Sequence, residues 1–496
     1  MKRSCVVEKT DNNYNIIALL DENNRIIRLD LESPDDVRVG DIYVCRVKNV
    51  VKNINSAFVD FADGLKGYLP LKEQVRSSSL LSRKVKNVFD PVHKDPVAAS
   101  KADQLPETGV KVVNEDLLLL QVSKEAHGLK AYFMTSELSI SGRCLVIVKK
   151  HAPGFCAGIS KKIRDREKRE HLRELLSGWK LSLSDDKRAD NGLHGSRPVS
   201  ESVPDTPASE NIPDNSIYGQ VCAPFAFSFI IRTEAENASD EEITSEAARL
   251  YAEMREVLKK AQHASDGSLV YRGEGQVENY LKSYGQEMNL ISNDSELLHE
   301  LAARYYRTGI CKYKRTDIIY DELSYDNADI NDIGYEGSDL PANFHIWDSG
   351  TDGNIDAVYR ISHTVEEALS RKVWLKSGGF LYIDQTEAMV VIDVNTGKAI
   401  KGKKPSEETF YRINLEAVSE IAYQLQLRNL SGIIVIDFID MDPGHEEAVL
   451  IALKDAVKND TEKCTIVDIT GLGLVEMTRQ KERMSFSESW RQKNNI

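Results

Sequence analysis

Two short apolar runs, each ending in a carboxylate, constrain this chain more than any other feature. MVVIDVN carries Asp393 near its end, and IIVIDFIDMD carries Asp437, 44 positions later. Between them Val418, Ile421, Ala422 and Leu425 share one stripe at i, i+3, i+4 and i+7, which predicts a helix near 407–428. Strand, crossover-length helix and strand together predict parallel pairing in one sheet. That pairing would bring two carboxylates to the carboxyl ends of neighbouring strands, where α/β sheets gather their ligands. Paired hard oxygens with open positions suit Mg²⁺ and a phosphate. One Asp after a strand commonly caps a turn or the next helix, so the inference needs both. Asn395 either hydrogen-bonds a bound phosphate or a carboxylate, or shapes the turn before Gly397. Asp440 and Asp442 are assigned to the following loop rather than to a ligand set.

Further strands at FLYID near 380 and TIVDIT near 465, with a second helix near 445–458, extend this region into an α/β layer. The N-terminal half has a different texture. Residues 4–31 read as a hairpin, with CVVEK, YNIIALL and RIIRLDL separated by polar turns. From Gly40, the runs DIYVCRVKNVV, NSAFVDFA and GLKGYLPL, resumed by LLLLQVSKE after a polar interruption at 75–108, predict a small barrel. A Gly-punctuated strand at 138–148, a charged helix near 161–178, a strand at 225–233 and a long amphipathic helix near 240–264 follow. Residues 184–216 hold four of the fourteen prolines and few large apolar side chains, which predicts a disordered insertion. The chain shows no internal repeat.

With 496 residues there is room for about three domains. The net charge of −14 argues at first against nucleic acid, but Asp317 to Asp356 holds eleven Asp or Glu and no Lys or Arg. Basic clusters survive elsewhere, as in Lys161-Lys162-Ile163-Arg164 and from Lys398 to Lys404. The seven cysteines form no CxxC pair, so neither a disulfide framework nor a zinc knuckle is expected and a reducing cytoplasm fits. No apolar stretch approaches the ~20 residues of a membrane helix, so no membrane partner is expected.

In the barrel block, alternation turns Ala57, Val59 and Phe61 inward and leaves Phe58 on the outer face. The same reading puts Leu69 and Leu71 inward and Tyr68 outward, so two aromatics on adjacent strands could stack unpaired bases. Arg232-Thr233 ends an apolar strand, and a guanidinium beside a hydroxyl is a receptor for a terminal phosphate. HExxH, G-x-S-x-G, Walker and complete G-x-G-x-x-G motifs are absent.

SGGFLYIDQTEAMVVIDVNTGKA, INLEAVSEIAYQLQLRNLSGIIVIDFIDMD and GLGLVEMTRQKER together resemble the ribonuclease E/G family. The resemblance extends to GDIYVCRVKNVVKNINSAFVDF, GYLPL, SISGRCLVIV and IIRT upstream. It implies a cytoplasmic endoribonuclease of rRNA and tRNA processing and mRNA decay that cuts single-stranded RNA by Mg²⁺-assisted hydrolysis and leaves a 5′-phosphate. Asp393 and Asp437 match the family's metal-binding carboxylates and Asn395 the polar residue beside them. Phe58 and Tyr68 match its RNA-binding aromatics, Lys130 in HGLKAYF a basic RNA contact, and Arg232 and Thr233 its 5′-monophosphate receptor. The implied fold is a multidomain α/β protein with an S1-type OB barrel, a 5′-sensor, and RNase H-like and DNase-I-like subdomains. The expected boundaries are 1–38 and 278–367 for the RNase H-like part and 39–125 for the barrel. The 5′-sensor takes 126–277 and the DNase-I-like part 368–496. Homo-oligomerisation stays open, but the family's zinc-linking CPxC motif is missing here. After Arg232-Thr233 the chain reads EAENAS where the family has a Gly- and Lys-containing loop, so a 5′-monophosphate preference is less firmly implied than cleavage. Two rivals remain on sequence grounds: a non-cleaving RNA-binding protein on the same scaffold, and a DNA-directed nuclease using the same carboxylates.

Overall fold

Strand Met389–Asn395 runs parallel to Gly432–Asp437, and every other pairing in their six-stranded sheet is antiparallel. The computed structural model in which this is seen describes residues 3–71, 80–82, 111–126, 131–149, 156–177, 227–307, 340–399, 406–481 and 483–494. The sheet order is Lys372–Trp374, Phe380–Gln385, Met389–Asn395, Gly432–Asp437, Val475–Arg479, Cys464–Ile469. Alternation sorts the side chains. Val390, Ile392, Val394, Ile434, Ile436, Val475 and Met477 are buried against Ile413, Ala417, Val418, Ile421 and Leu425 of helix Glu407–Leu427 and Val449 and Leu453 of helix Pro443–Ala456. The opposite face of the sheet carries Met389, Val391 and Ile433, all exposed.

TIVDIT forms strand Cys464–Ile469, and Val475–Arg479, which the sequence reading did not single out as a strand, lies between it and Gly432–Asp437. A tight turn causes this. Thr470 Oγ1 accepts from the N–H groups of Leu472 and Leu474, and Gly473 takes φ +82°, so the chain doubles back as a hairpin. The returning strand alternates buried and exposed residues and ends on Arg479, whose guanidinium is fully enclosed. Arg479 donates to both carboxylate oxygens of Asp460 at 3.0 and 2.9 Å and to Asn429 Oδ1 at 2.9 Å.

A second sheet, in the same compact unit (1–38, 124–130 and 274–496), is ordered Phe344–Ile346, Met288–Ser292, Arg3–Lys9, Asn15–Leu20, Ile26–Glu32. The predicted N-terminal hairpin is therefore three antiparallel strands, extended by a parallel partner from far along the chain. The other unit, 39–123 and 131–273, holds a closed five-stranded OB-like barrel. Ile42–Val51, Ser56–Phe61, Leu65–Pro70, Tyr132–Thr135 and Leu117–Lys124 pair in turn, and the last returns to the first. A four-stranded sheet ordered Ser139–Ser141, Leu145–Val148, Ser228–Ile231, Cys156–Ile159 packs there on helix Asp240–His263. A capping box between Ser239 and Glu242 starts that helix.

The insertion at 184–216, the acidic run up to residue 339 and most of the polar stretch at 75–108 lie outside the described residues. From 340 to 356 the acidic segment is structured, contributing strand Phe344–Ile346 and the start of helix Ile355–Tyr359.

Asp460 and Arg479 are 1% and 0% exposed, so removing one strands the other's charge without water. Asp460→Ala should cost about 3–5 kcal/mol in urea unfolding followed by circular dichroism, whereas an exposed pair such as Arg166–Glu170 should change stability by under about 1 kcal/mol when broken.

Candidate active site and RNA-binding surfaces

In the parallel pair, Asp393 stands directly across from Asp437. Residues level in adjacent strands point to the same face, about 4.8 Å apart, so the two carboxylates share one small area of the open side of the sheet. Burial, and then the charge of Asp437, raises the pKa of Asp393 above its ordinary value. Two oxygen donors facing each other at the end of a sheet, with no ion pair to Asp393 among the described residues, are suited to a hard divalent ion. Asp393 and Asp437 thus offer hard oxygen donors on one face, and Asn395, on the same face one pleat further on, adds an amide oxygen.

Asn395 also performs the alternative task considered for it. Its Oδ1 accepts from Gly397 N–H at 3.0 Å. Gly397 has φ +50°, and a Cβ there would lie 2.5 Å from the Gly378 carbonyl oxygen. The SGG and VNTG segments therefore lock together beside the carboxylates. On the other flank, Asn414 is buried in the crossover helix and exchanges hydrogen bonds with the backbone of Ile439, donating at 2.8 Å and accepting at 3.1 Å. It fixes the segment that leaves Asp437. Sequence reasoning missed Asn414, although a polar residue on the apolar stripe of a helix was the available signal.

Glu407, Asp442 and His445 form a second group, with ligand atoms within 4.8 Å of one another. Glu407 Oε1 accepts from Asp442 N–H at 2.6 Å and contacts His445 Nδ1 at 3.2 Å, and the Tyr411 ring stacks on His445 at 4.2 Å. The Asp442 N–H, and then His445, hold the Glu407 carboxyl below its usual range. These contacts join the beginnings of two helices, and they agree with placing Asp442 in the loop.

On the barrel, Phe58 is level with Tyr68, and Tyr68 is level with Phe133 of the next strand. The rings are 5.8 and 5.5 Å apart between centroids, which makes a row of three aromatics across three strands. Ser56 Oγ donates to Tyr68 Oη at 2.7 Å and sets the middle ring. Phe133 was not singled out from the sequence, because its place in the row depends on a pairing between distant strands. Lys130 lies outside the described residues.

Arg232 follows strand Ser228–Ile231 and donates from Nη1 to the Gly142 carbonyl oxygen at 2.6 Å. Gly142 is tightly enclosed, since a Cβ would lie 1.9 Å from Glu246 Oε1, and that carboxylate accepts the N–H groups of Cys144 and Leu145. Thr233 Oγ1 lies 2.9 Å from Ser160 Oγ, which adds a hydroxyl that the sequence reading did not include. At the end of strand Ser228–Ile231, Arg232 thus reaches the loop at Gly142 on the side of Leu145–Val148, and Thr233 meets Ser160 on the side of Cys156–Ile159.

The sequence model of the Ribonuclease E/G family matches residues 196–331 and 338–482. Ribonuclease G of Haemophilus influenzae is 30% identical over 449 residues, covering 90% of this chain and 73% of that protein. Ribonuclease G of Salmonella typhimurium is 28% identical over 452 residues, with the same coverage of both chains. Ribonuclease E of Escherichia coli is 27% identical over 476 residues, 95% of this chain but 36% of the longer relative.

A carboxyl whose folded pKa is raised holds its proton more tightly folded than unfolded, so the fold loses stability as pH climbs from the ordinary Asp value of 3.8 through the raised one. In EDTA, thermal unfolding should therefore show a falling limb over that window. Asp437→Asn should flatten it in part, because burial of Asp393 remains, and saturating Mg²⁺ should remove it.

Proposed function

The chain belongs to the ribonuclease E/G family, and we propose that it is an endoribonuclease that hydrolyses internal phosphodiesters of single-stranded RNA with Mg²⁺, leaving 5′-phosphate ends. The observation that carries this reading is the level pairing of Asp393 with Asp437 at the ends of two parallel strands. Processing of rRNA and tRNA precursors and decay of mRNA are the corresponding processes.

Asp393 and Asp437 hold the ion, and Asn395 orients the phosphate or a carboxylate next to it. When bound, the ion activates water and neutralises charge developing on the scissile phosphate. The chain's own residues do the positioning. Asn414 keeps the Asp437 segment in place, and the Gly378–Gly397 contact does the same for Asp393 and Asn395. Phe58, Tyr68 and Phe133 stack unpaired bases, a grip that tolerates many sequences because every base has a π-face. Lys130 adds a phosphate contact. Arg232 and Thr233, with Ser160, take a 5′-terminal monophosphate, for which a forked guanidinium and hydroxyls are suitable donors.

In this reading residues 39–125 are the RNA-binding barrel, 126–277 the 5′-sensor and 368–496 the catalytic subdomain, with 1–38 and 278–367 as a non-catalytic RNase H-like scaffold. Among the described residues no helix is long and apolar enough to cross a membrane, and a cytoplasmic location fits that.

Gel-resolved cutting of a single-stranded RNA oligomer in Mg²⁺ tests the assignment. Asp393→Asn and Asp437→Asn should each slow cleavage by about 10²-fold or more, and EDTA should abolish it. Binding without any cutting by the parent would favour the non-cleaving rival, and efficient competition by DNA the DNA-directed one. Phe58→Ala and Phe133→Ala should each weaken RNA binding by about 1–3 kcal/mol with little change in kcat. Arg232→Gln should equalise the rates on 5′-phosphate and 5′-hydroxyl substrates.

A further inference from the structure

We propose that Trp374, Phe380 and Tyr382, with the Lys372 ammonium among their rings, form a stacking wall for the unpaired base next to the scissile phosphate. The proposal rests on the reading of Asp393 and Asp437 as the catalytic pair.

Register places the wall. Lys372 is level with Tyr382, Tyr382 with Asp393, and Asp393 with Asp437, which gives one row across four strands. Trp374 is level with Phe380, and Phe380 with Asn395, in the next row on the same face. Tyr382 therefore stands one strand spacing, about 5 Å, from Asp393, and Phe380 the same distance from Asn395. Neighbouring phosphates of an extended RNA strand are separated by a similar distance, so a phosphate at the carboxylates brings its adjoining base over these rings.

The chemistry suits a base. Trp374 and Phe380 meet edge-to-face at 5.4 Å, and Phe380 and Tyr382 at 5.1 Å, so no ring stacks on another. Lys372 Nζ lies 3.6 Å from the Phe380 centroid and 4.0 Å from that of Trp374, held by cation–π attraction beside an acidic site. An ammonium fixed among aromatic rings offers one nucleotide both a phosphate contact and a π-surface. Trp374 is 56% exposed on a three-residue edge strand. A Lys on a short edge strand also deters unwanted strand pairing, but that role requires neither the exposed indole nor aromatic rings level with Asp393 and Asn395. Since stacking strength rises with base size, the wall favours a purine next to the cut.

The test uses the full chain and a 2′-O-methyl oligoribonucleotide that resists cleavage. Titration of the parent should quench tryptophan emission, and the quench assigned to Trp374 by difference from Trp374→Phe should saturate with binding. Trp374→Ala should raise Kd about tenfold and erase the purine preference at the cut, while Trp374→Phe should retain both. Asp393→Asn should quench like the parent. Absence of a Trp374-dependent quench, or an unchanged Kd and cut pattern in a Trp374→Ala protein with parental circular dichroism, would overturn the wall alone if Asp393→Asn is inactive. A full quench together with normal cutting by Asp393→Asn would overturn its placement beside the cut, through failure of the catalytic reading.

Discussion

The parallel contact between Met389–Asn395 and Gly432–Asp437 is the constraint on which the site depends. Burial, and then the facing Asp437 carboxylate, disfavours the charged form of Asp393, and its pKa is raised accordingly. The apolar side chains of the same two strands hold the arrangement in place. Ile392, Val394, Ile434 and Ile436 alternate with the acids and are buried under the crossover helix, so a slip by one residue would expose them. The buried Arg479–Asp460–Asn429 cluster anchors the adjoining hairpin strand. Apolar burial on one face thus sustains charge repulsion on the other.

Both units use lateral register to build surfaces. In the barrel, Phe58, Tyr68 and Phe133 align across three strands, and in the six-stranded sheet Trp374 and Phe380 align with Asn395. A β-sheet can present such rows because level residues share a face, whatever their separation in sequence. Single-stranded RNA, whose bases follow one another at near-regular intervals, is a natural ligand for rows of this kind.

Much of this was legible from local patterns. Alternation identified the core faces of the barrel strands and set Phe58 outward, and helical period identified the crossover helix with its stripe of Val418, Ile421, Ala422 and Leu425. Strand order was harder to read, because Val475–Arg479 enters the sheet through a turn controlled by Thr470 and Gly473 rather than by any long-range signal. Phe133, Asn414 and the Glu407–Asp442–His445 group escaped notice for a shared reason. Each acquires its role from a partner tens of residues away; at Asn414 the helical stripe marks an out-of-place polar residue but not the Ile439 backbone that it meets. Lys372–Trp374 is too short a strand to register as a pattern at all.

The central claim is that the strand-end pair, and not the Glu407–Asp442–His445 group, holds the divalent ion. Replacing Mg²⁺ with Fe²⁺ and generating hydroxyl radicals with ascorbate and peroxide would cut the polypeptide next to the bound metal, with the fragments mapped by mass spectrometry. The account predicts scission clustered around 393–395 and 437–439 that excess Mg²⁺ suppresses and Asp393→Asn abolishes. Scission centred on 407 and 442–445, unchanged in Asp393→Asn, would contradict it.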